Sequence, residues 1–150
     1  MKIYLGADHG GYKLKEEMKD WLKEWGFEFE DLGAFSFIPE DDYPDYAWAV
    51  GQKVGTTQGS LGILVCRSGQ GACIVANKCR HSRAATAWNE RSAQAARHDD
   101  DANILCLPAD YLTVDLAKKV VQVFLHTKFD AQDHRFTRRL QKVKKIDQNL

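Results

Sequence analysis

The sequence predicts a doubly wound α/β domain: a five-stranded parallel sheet of Rossmann-like type, helices on both faces and one extra C-terminal helix. Three observations carry this expectation. Short apolar runs alternate with amphipathic stretches from the first residue onward. One run, Leu61 to Cys66, is apolar without a break, as a central parallel strand covered on both faces must be. The 150 residues contain no internal repeat, low-complexity tract or linker, which fits one domain over 1–150.

Ile3 to Ala7 is the first strand, and the turn residues Asp8, His9, Gly10 and Gly11 follow it. Leu14, Met18, Trp21, Leu22 and Trp25 recur at helical spacing, and Gly26, able to take a positive φ, ends that helix. Phe27 to Leu32 alternates Phe-Glu-Phe-Glu, the period of a strand with one wet face, and is placed near a sheet edge. Gly33 to Asp45, with Pro39, Pro44 and the acidic Glu40, Asp41 and Asp42, is the one long loop and a candidate rim of a site. Tyr46 to Val54 reads as a helix, and Ala72 to Cys79 as another, opened by Ser68, Gly69, Gln70 and Gly71. Arg83 to Trp88 is the fourth strand, Asn89 caps a helix through Arg97, and Asn103 to Leu107 is the fifth strand. Thr113 caps a long helix carrying Leu116, Val120, Val121 and Phe124. A final basic helix holds Arg135, Arg138, Arg139, Leu140, Val143 and Ile146.

Lysines plus arginines number 21 and so do aspartates plus glutamates. A net charge of zero supplies no field for nucleic acid or an anionic membrane, so neither is expected as a partner. The apolar runs fall far short of the roughly 20 residues of a membrane span. Cys66, Cys73, Cys79 and Cys106 match neither a Cys-x-x-Cys pair nor a zinc pattern. Reduced thiols in a soluble, cytoplasmic protein are the expectation.

Ligands of such folds sit beyond the carboxyl ends of the strands, which selects three turns: Asp8 to Gly11, Cys66 to Gly71, and Asn89 onward. Ser68 to Gly71 follows a buried strand and opens a helix, so its amides suit a phosphate or a developing oxyanion. It lacks the third glycine of a dinucleotide fingerprint and the Gly-Lys-Ser/Thr of a P-loop, and simple turn chemistry would also account for it. Cys66 beside it can serve as a thiolate base or nucleophile, or equally as a small hydrophobe closing an apolar strand. Asp8 and His9 offer a carboxylate and an imidazole at the same edge; the bland alternative is a helix cap and a wet turn. Read from position alone, His98 to Asp101 is a solvated helix tail. Arg135 and Arg139, four apart on one face, are spaced to fork a phosphate, and a terminal helix can reach a neighbouring subunit's cleft. Trp88, at a strand end, is a candidate pocket wall.

Taken together, Asp8-His9-Gly10-Gly11, Asp42-Tyr43-Pro44, Cys66-Arg67-Ser68-Gly69-Gln70-Gly71, Ala76-Asn77-Lys78, Arg83-Ala84, Ser92-Ala93-Gln94 and Ala102-Asn103 resemble, in order and spacing, the ribose-5-phosphate isomerase B and galactose-6-phosphate isomerase family. The resemblance covers nearly the whole chain. It implies an aldose–ketose isomerase without metal or cofactor, acting on a sugar phosphate through a cis-enediolate, with ribose 5-phosphate and ribulose 5-phosphate as the first pair to test. It assigns Cys66 as the base, since the position where some relatives carry a glutamate is Ala72 here. It places Ser68 and the amides after it, at Gly69 and Gly71, on the enediolate oxygen. Substrate contacts are expected from Asp8, His9, Arg67, Asn77 and Asp100. Where relatives carry a ring-opening histidine the register puts Asp99, with His98 one residue earlier. Asp110 stands where a phosphate arginine is usual, and Arg67 replaces a usual glycine, a swapped cation that could restore the phosphate site from another direction. Arg135 and Arg139 are carried over as phosphate contacts, from the other subunit of a homodimer with composite active sites. Isomerisation of a hexose 6-phosphate or a tetrose phosphate is a second reading, and a phosphosugar-binding module without catalysis a third. A flavodoxin-like carrier shares the fold.

Overall fold

The computed structural model describes residues 1–149, ordered as β1 (Lys2–Ala7), α1 (Tyr12–Glu24), β2 (Glu28–Asp31), α2 (Tyr43–Thr56), β3 (Leu61–Cys66), α3 (Gln70–Ala76), β4 (Ala84–Thr86), α4 (Glu90–His98), β5 (Ile104–Pro108), α5 (Val114–His126) and α6 (His134–Asp147). Every strand pairing is parallel, in the order β2-β1-β3-β5-β4. The doubly wound expectation holds, with β2 at an edge and β3 at the centre. Chain direction across the sheet reverses between β1 and β3, so a ligand crevice opens where those strands end, at Ala7 and Cys66.

The two-residue period of β3 decides which helices each side chain meets. Leu61, Ile63 and Val65 face the layer of α1, α4 and α5, where Leu14, Met18, Ala93, Val120 and Phe124 complete one buried cluster. Leu64 and Cys66 face α2 and α3, against Val50, Ala72, Ala76 and Cys106. Cys66 thus points into the thinner layer, beside the start of α3. Gly62 shares that face because a Cβ there would sit 2.8 Å from Val50 Cγ1.

Local signals account for most helix ends. Gly26, at φ 75°, closes α1 with paired bonds, Gly26 N to Lys23 O and Phe27 N to Leu22 O. Asn89 accepts from Ser92 N while Ser92 Oγ accepts from Asn89 N, a reciprocal cap on α4. Thr113 caps α5 as read. Three elements depart most from the sequence reading. Helix α2 begins at Tyr43 rather than Tyr46, because Pro44 in the first turn pre-sets φ and forfeits no hydrogen bond. Helix α3 spans Gln70–Ala76 rather than Ala72 to Cys79, since Gly69 at φ 74° turns the chain straight into it. Strand β4 is trimmed to Ala84–Thr86 because it is an edge with one strand partner. Among the described residues no helix is long and apolar enough to cross a membrane.

Candidate active site

At the end of β1, Gly11 N donates to Asp8 Oδ1 at 3.2 Å and Lys15 N to Gly11 O at 2.9 Å, so the carboxylate closes the turn that starts α1. A Cβ on Gly11 would lie 2.2 Å from Val65 O; that close approach seats the Asp8 turn on the end of β3. Burial pushes the Asp8 carboxyl up from its ordinary value, against the opposing pull of the Gly11 amide. His9 is fixed twice by one oxygen: its backbone N and its ring Nδ1 each lie 2.8 Å from Asp41 Oδ1. Asp41 comes from the long loop, its side chain is 7% exposed, and its Oδ2 is buried without a hydrogen-bond partner. The bond to Asp41 raises the His9 imidazole above its ordinary value. With Nδ1 held, Nε2 is the nitrogen left for a ligand.

The loop that supplies Asp41 is itself fastened to β1. Leu32 N donates to Leu5 O, Ala7 N to Gly33 O, and Ala34 N to Ala7 O, which extends the ladder to the residue before Asp8. Asp31 Oδ1 accepts from Gly33 N, and its Oδ2 takes the ammonium of Lys15, a side chain with no exposed surface. Lys19 and Glu16 complete the network. A lysine so buried is tolerated only because two carboxylates meet it.

At the end of β3, Cys66 is buried and its Sγ accepts from Gly69 N at 3.2 Å. Ser68 Oγ accepts weakly from Gln70 N, at 3.4 Å. The amides of Ser68 and Gly71 have no hydrogen-bond partner among the described residues. The Tyr43 ring lies over Gly71, where a Cβ would meet its Cζ at 2.4 Å, and closes this turn from above. Beside it opens a cavity of about 460 Å³ lined by Ser68, Gln70, Thr86, Trp88, Pro108 and Tyr111, so Trp88 is the pocket wall the sequence suggested. Arg67 runs its stem across Gly10 and places Nε 2.9 Å from Asp110 Oδ2. In α3, Cys73 is drawn down to about 6 by the Cys106 thiol and Thr86.

The remaining expected residues lie elsewhere. Helix α4 runs back against the strands, so His98, Asp99 and Asp100 sit at the amino end of β5, opposite to Cys66. His98 Nδ1 is 2.7 Å from Asp99 Oδ1, its ring meets Phe136 edge-on, and Asp130 N donates to its carbonyl. That joins α4 to α6. Arg135 is occupied by Asp133, the cap of its own helix, through Nε at 3.1 Å and Nη2 at 2.6 Å, so in this chain it does not stand free to fork a phosphate. Arg139 lines a cavity of about 410 Å³ together with Asn77, Ala84, Asp100 and Leu140. Asn77 departs from its expected part: its amide pairs with Ala84 N at 2.8 Å and Ala84 O at 2.9 Å, supplying the open edge of β4 with the ladder bonds it lacks.

One group therefore gathers at the carboxyl ends, Asp8, His9, Cys66, Arg67, Ser68, Gly69 and Gly71. The other, His98, Asp99, Asp100, Arg135 and Arg139, gathers at the α4–α6 corner. Asp41, Tyr43 and Asp110 join the first group without having been singled out for a role; Asp42-Tyr43-Pro44 drew notice to the loop, but no sequence signal links Asp41 to His9. This arrangement offers a buried thiol beside free amides, with a carboxylate, an imidazole and a guanidinium across the crevice. It is suited to moving a proton next to a carbonyl and holding the charge that develops.

A family model described as ribose/galactose isomerase matches residues 3–143. The chain is 39% identical over 142 residues to a probable ribose-5-phosphate isomerase B of Mycoplasma genitalium, covering 94% of this chain and 92% of that protein. It is 38% identical over 135 residues to ribose-5-phosphate isomerase B of Mycobacterium tuberculosis, covering 89% and 83%. Among solved structures, ribose-5-phosphate isomerase B of Mycoplasma genitalium with bound ribulose-5-phosphate superposes with a TM-score of 0.95 at 37% identity, covering 99% of this chain and 97% of that one.

Proposed function

The chain belongs to the ribose/galactose isomerase family, and from that premise we propose that it interconverts ribose 5-phosphate and ribulose 5-phosphate. The observation that carries the reading is Cys66 at the end of the central strand, beside the unpartnered amides of Ser68 and Gly71. The Cys66 thiolate takes the proton from C2 of the open-chain aldose, and the C–H electron pair moves into the C1–C2 bond as the carbonyl becomes an enediolate oxygen. The Ser68 hydroxyl and the amides of Ser68 and Gly71 meet that oxygen, while Gly69 N holds the Cys66 sulfur. The proton returns to C1, and O2 becomes the ketone oxygen as its proton passes to O1. Asp8, His9 and Arg67 hold the sugar phosphate on the β1 side.

The α4–α6 corner enters from a second copy. A homodimer with composite sites would set His98, Asp99, Asp100, Arg135 and Arg139 of one chain against Cys66 of the other, which gives a function to side chains that have none in a single chain. The His98–Asp99 pair then supplies the acid and base that open the furanose ring. Exposed Trp48 on α2, Ile74 on α3 and Trp88 after β4 are apolar surface that such an interface would cover. Four free cysteines fit a reducing cytoplasm. The test is conversion of ribose 5-phosphate to ribulose 5-phosphate by the purified protein and by Cys66→Ala, beside a tetrose phosphate and a hexose 6-phosphate. Turnover lost in the variant supports the reading; turnover that survives the substitution contradicts it.

A further inference from the structure

A guanidinium has two hydrogen-bonding edges, one through Nε and one through the paired Nη atoms. In Arg67 the first edge is taken: Nε donates to Asp110 Oδ2 at 2.9 Å. The same two residues are joined through the backbone, Asp110 N donating to Arg67 O at 3.0 Å, which fixes the turn after β5 to the turn after β3. The stem of Arg67 is pressed along Gly10, where a Cβ would lie 2.2 Å from its Cγ, so the side chain runs over the turn that follows β1. Among the described residues the Nη atoms donate to nothing. The free edge is thus left to solvent beside the Asp8–Gly11 turn, on a side chain oriented by a carboxylate 43 residues away.

We propose that Arg67 reads the phosphate dianion of the substrate through its Nη edge, and that Asp110 is a positioning residue that sets that edge while moderating its charge. The proposal rests on the isomerase reading and adds to it the group that selects phosphorylated over free sugars. Asp110 acts in two opposing ways. Its hydrogen bond orients the fork, which favours the dianion; its negative charge, a few ångströms beyond the guanidinium, repels it. The two can be separated because asparagine keeps an acceptor for Nε and drops the charge, whereas alanine drops both.

The experiment measures inorganic phosphate binding by calorimetry and, in parallel, KM and kcat for ribose 5-phosphate and kcat/KM for unphosphorylated ribose. Arg67→Met weakens phosphate binding and raises KM about 10- to 100-fold, with kcat/KM for ribose unchanged. Arg67→Gln serves as the second variant and falls the same way. Asp110→Asn tightens phosphate binding about 2- to 5-fold, and Asp110→Ala weakens it. Phosphate affinity unchanged in both Arg67 variants overturns the proposal, as does a loss seen in kcat alone or shared equally by ribose. Asp110→Asn and Asp110→Ala shifting in the same direction overturns the role given to Asp110. Arg67-dependent phosphate binding in a wild-type protein that turns over no sugar phosphate would sink the isomerase reading and leave the phosphate site standing.

Discussion

His9 with Asp41 and His98 with Asp99 are the same pair chemically, an imidazole Nδ1 within 2.8 and 2.7 Å of a carboxylate, yet the fold treats them in opposite ways. The first pair joins residues 32 apart and closes a loop onto β1; the second joins neighbours in the chain. Arg67 with Asp110 and Arg135 with Asp133 repeat the contrast, at separations of 43 and 2 residues. A pair made across the sheet fixes a side chain relative to every other group at the strand ends. A pair made along a helix only satisfies the side chain and leaves its place to wherever that helix docks. In the proposed composite dimer the carboxyl-end turns are one half of a site, already fixed by pairs made across the sheet, and the α4–α6 corner of the other copy is the second half.

The largest effect that could break this contrast is at Cys66. Cys66→Ala should lower kcat for ribose 5-phosphate by about 10³-fold with circular dichroism unchanged, because one thiol contributes little packing but is the proposed base. Cys79→Ala removes a thiol equally buried but set against Gly51, away from the turns, and should keep kcat. Equal losses in both would mean that Cys66 serves the core. Next in size is Lys15→Met, which removes the buried ammonium from Asp31 and leaves that carboxylate to Lys19 and the Gly33 amide. A loss of about 1.5–3 kcal/mol in urea unfolding is expected. Arg135→Ala, at the exposed corner, should leave the urea midpoint where it was. A Lys15→Met protein as stable as wild type would show that the Asp31 clamp contributes nothing to the strand-end geometry.

The smallest effect is on pH. Asp41 raises His9 above its ordinary 6.5, so the stability from protonating His9 is fully present below 6.5 and lost as pH rises through the raised value. For Asp41, burial pushes the carboxyl up, but the bonds from His9 outweigh it and hold it below its ordinary 3.8. Its contribution is present above 3.8 and lost as pH falls through the depressed value. The stabilising window is therefore mildly acidic. Asp41→Asn should bring the His9 ring titration, followed by NMR, down toward 6.5 and shrink the stability gap to wild type as pH rises past neutrality. An unmoved His9 titration would mean that the long-range pair is no firmer than the local one.

The same contrast governs what could be read in the sequence. Gly26, Asn89 and Thr113 marked helix ends because a cap is a bond between residues three to five apart, and the unbroken run at Leu61 to Cys66 marked the central strand because burial on both faces leaves no polar position. Cys66, Ser68, Asp8 and His9 stood out because they follow strands. The pairings of His9 with Asp41, Arg67 with Asp110 and Lys15 with Asp31 did not, since each joins residues that only the β2-β1-β3-β5-β4 order brings near. Asn77 illustrates the reverse case: the family resemblance carries it toward the substrate, and in the fold its amide clamps an edge strand.

In the proposed dimer the carboxyl-end turns of one chain are completed by the α4–α6 corner of another copy. The most direct test mixes two inactive proteins, Cys66→Ala and Arg139→Met, unfolds and refolds them together, and assays ribose 5-phosphate isomerisation. In a composite dimer one site of each heterodimer recovers both wild-type residues, and random pairing at equal amounts restores about a quarter of wild-type activity. A mixture no more active than its two components would place Cys66 and Arg139 in the service of one chain, and would contradict the account.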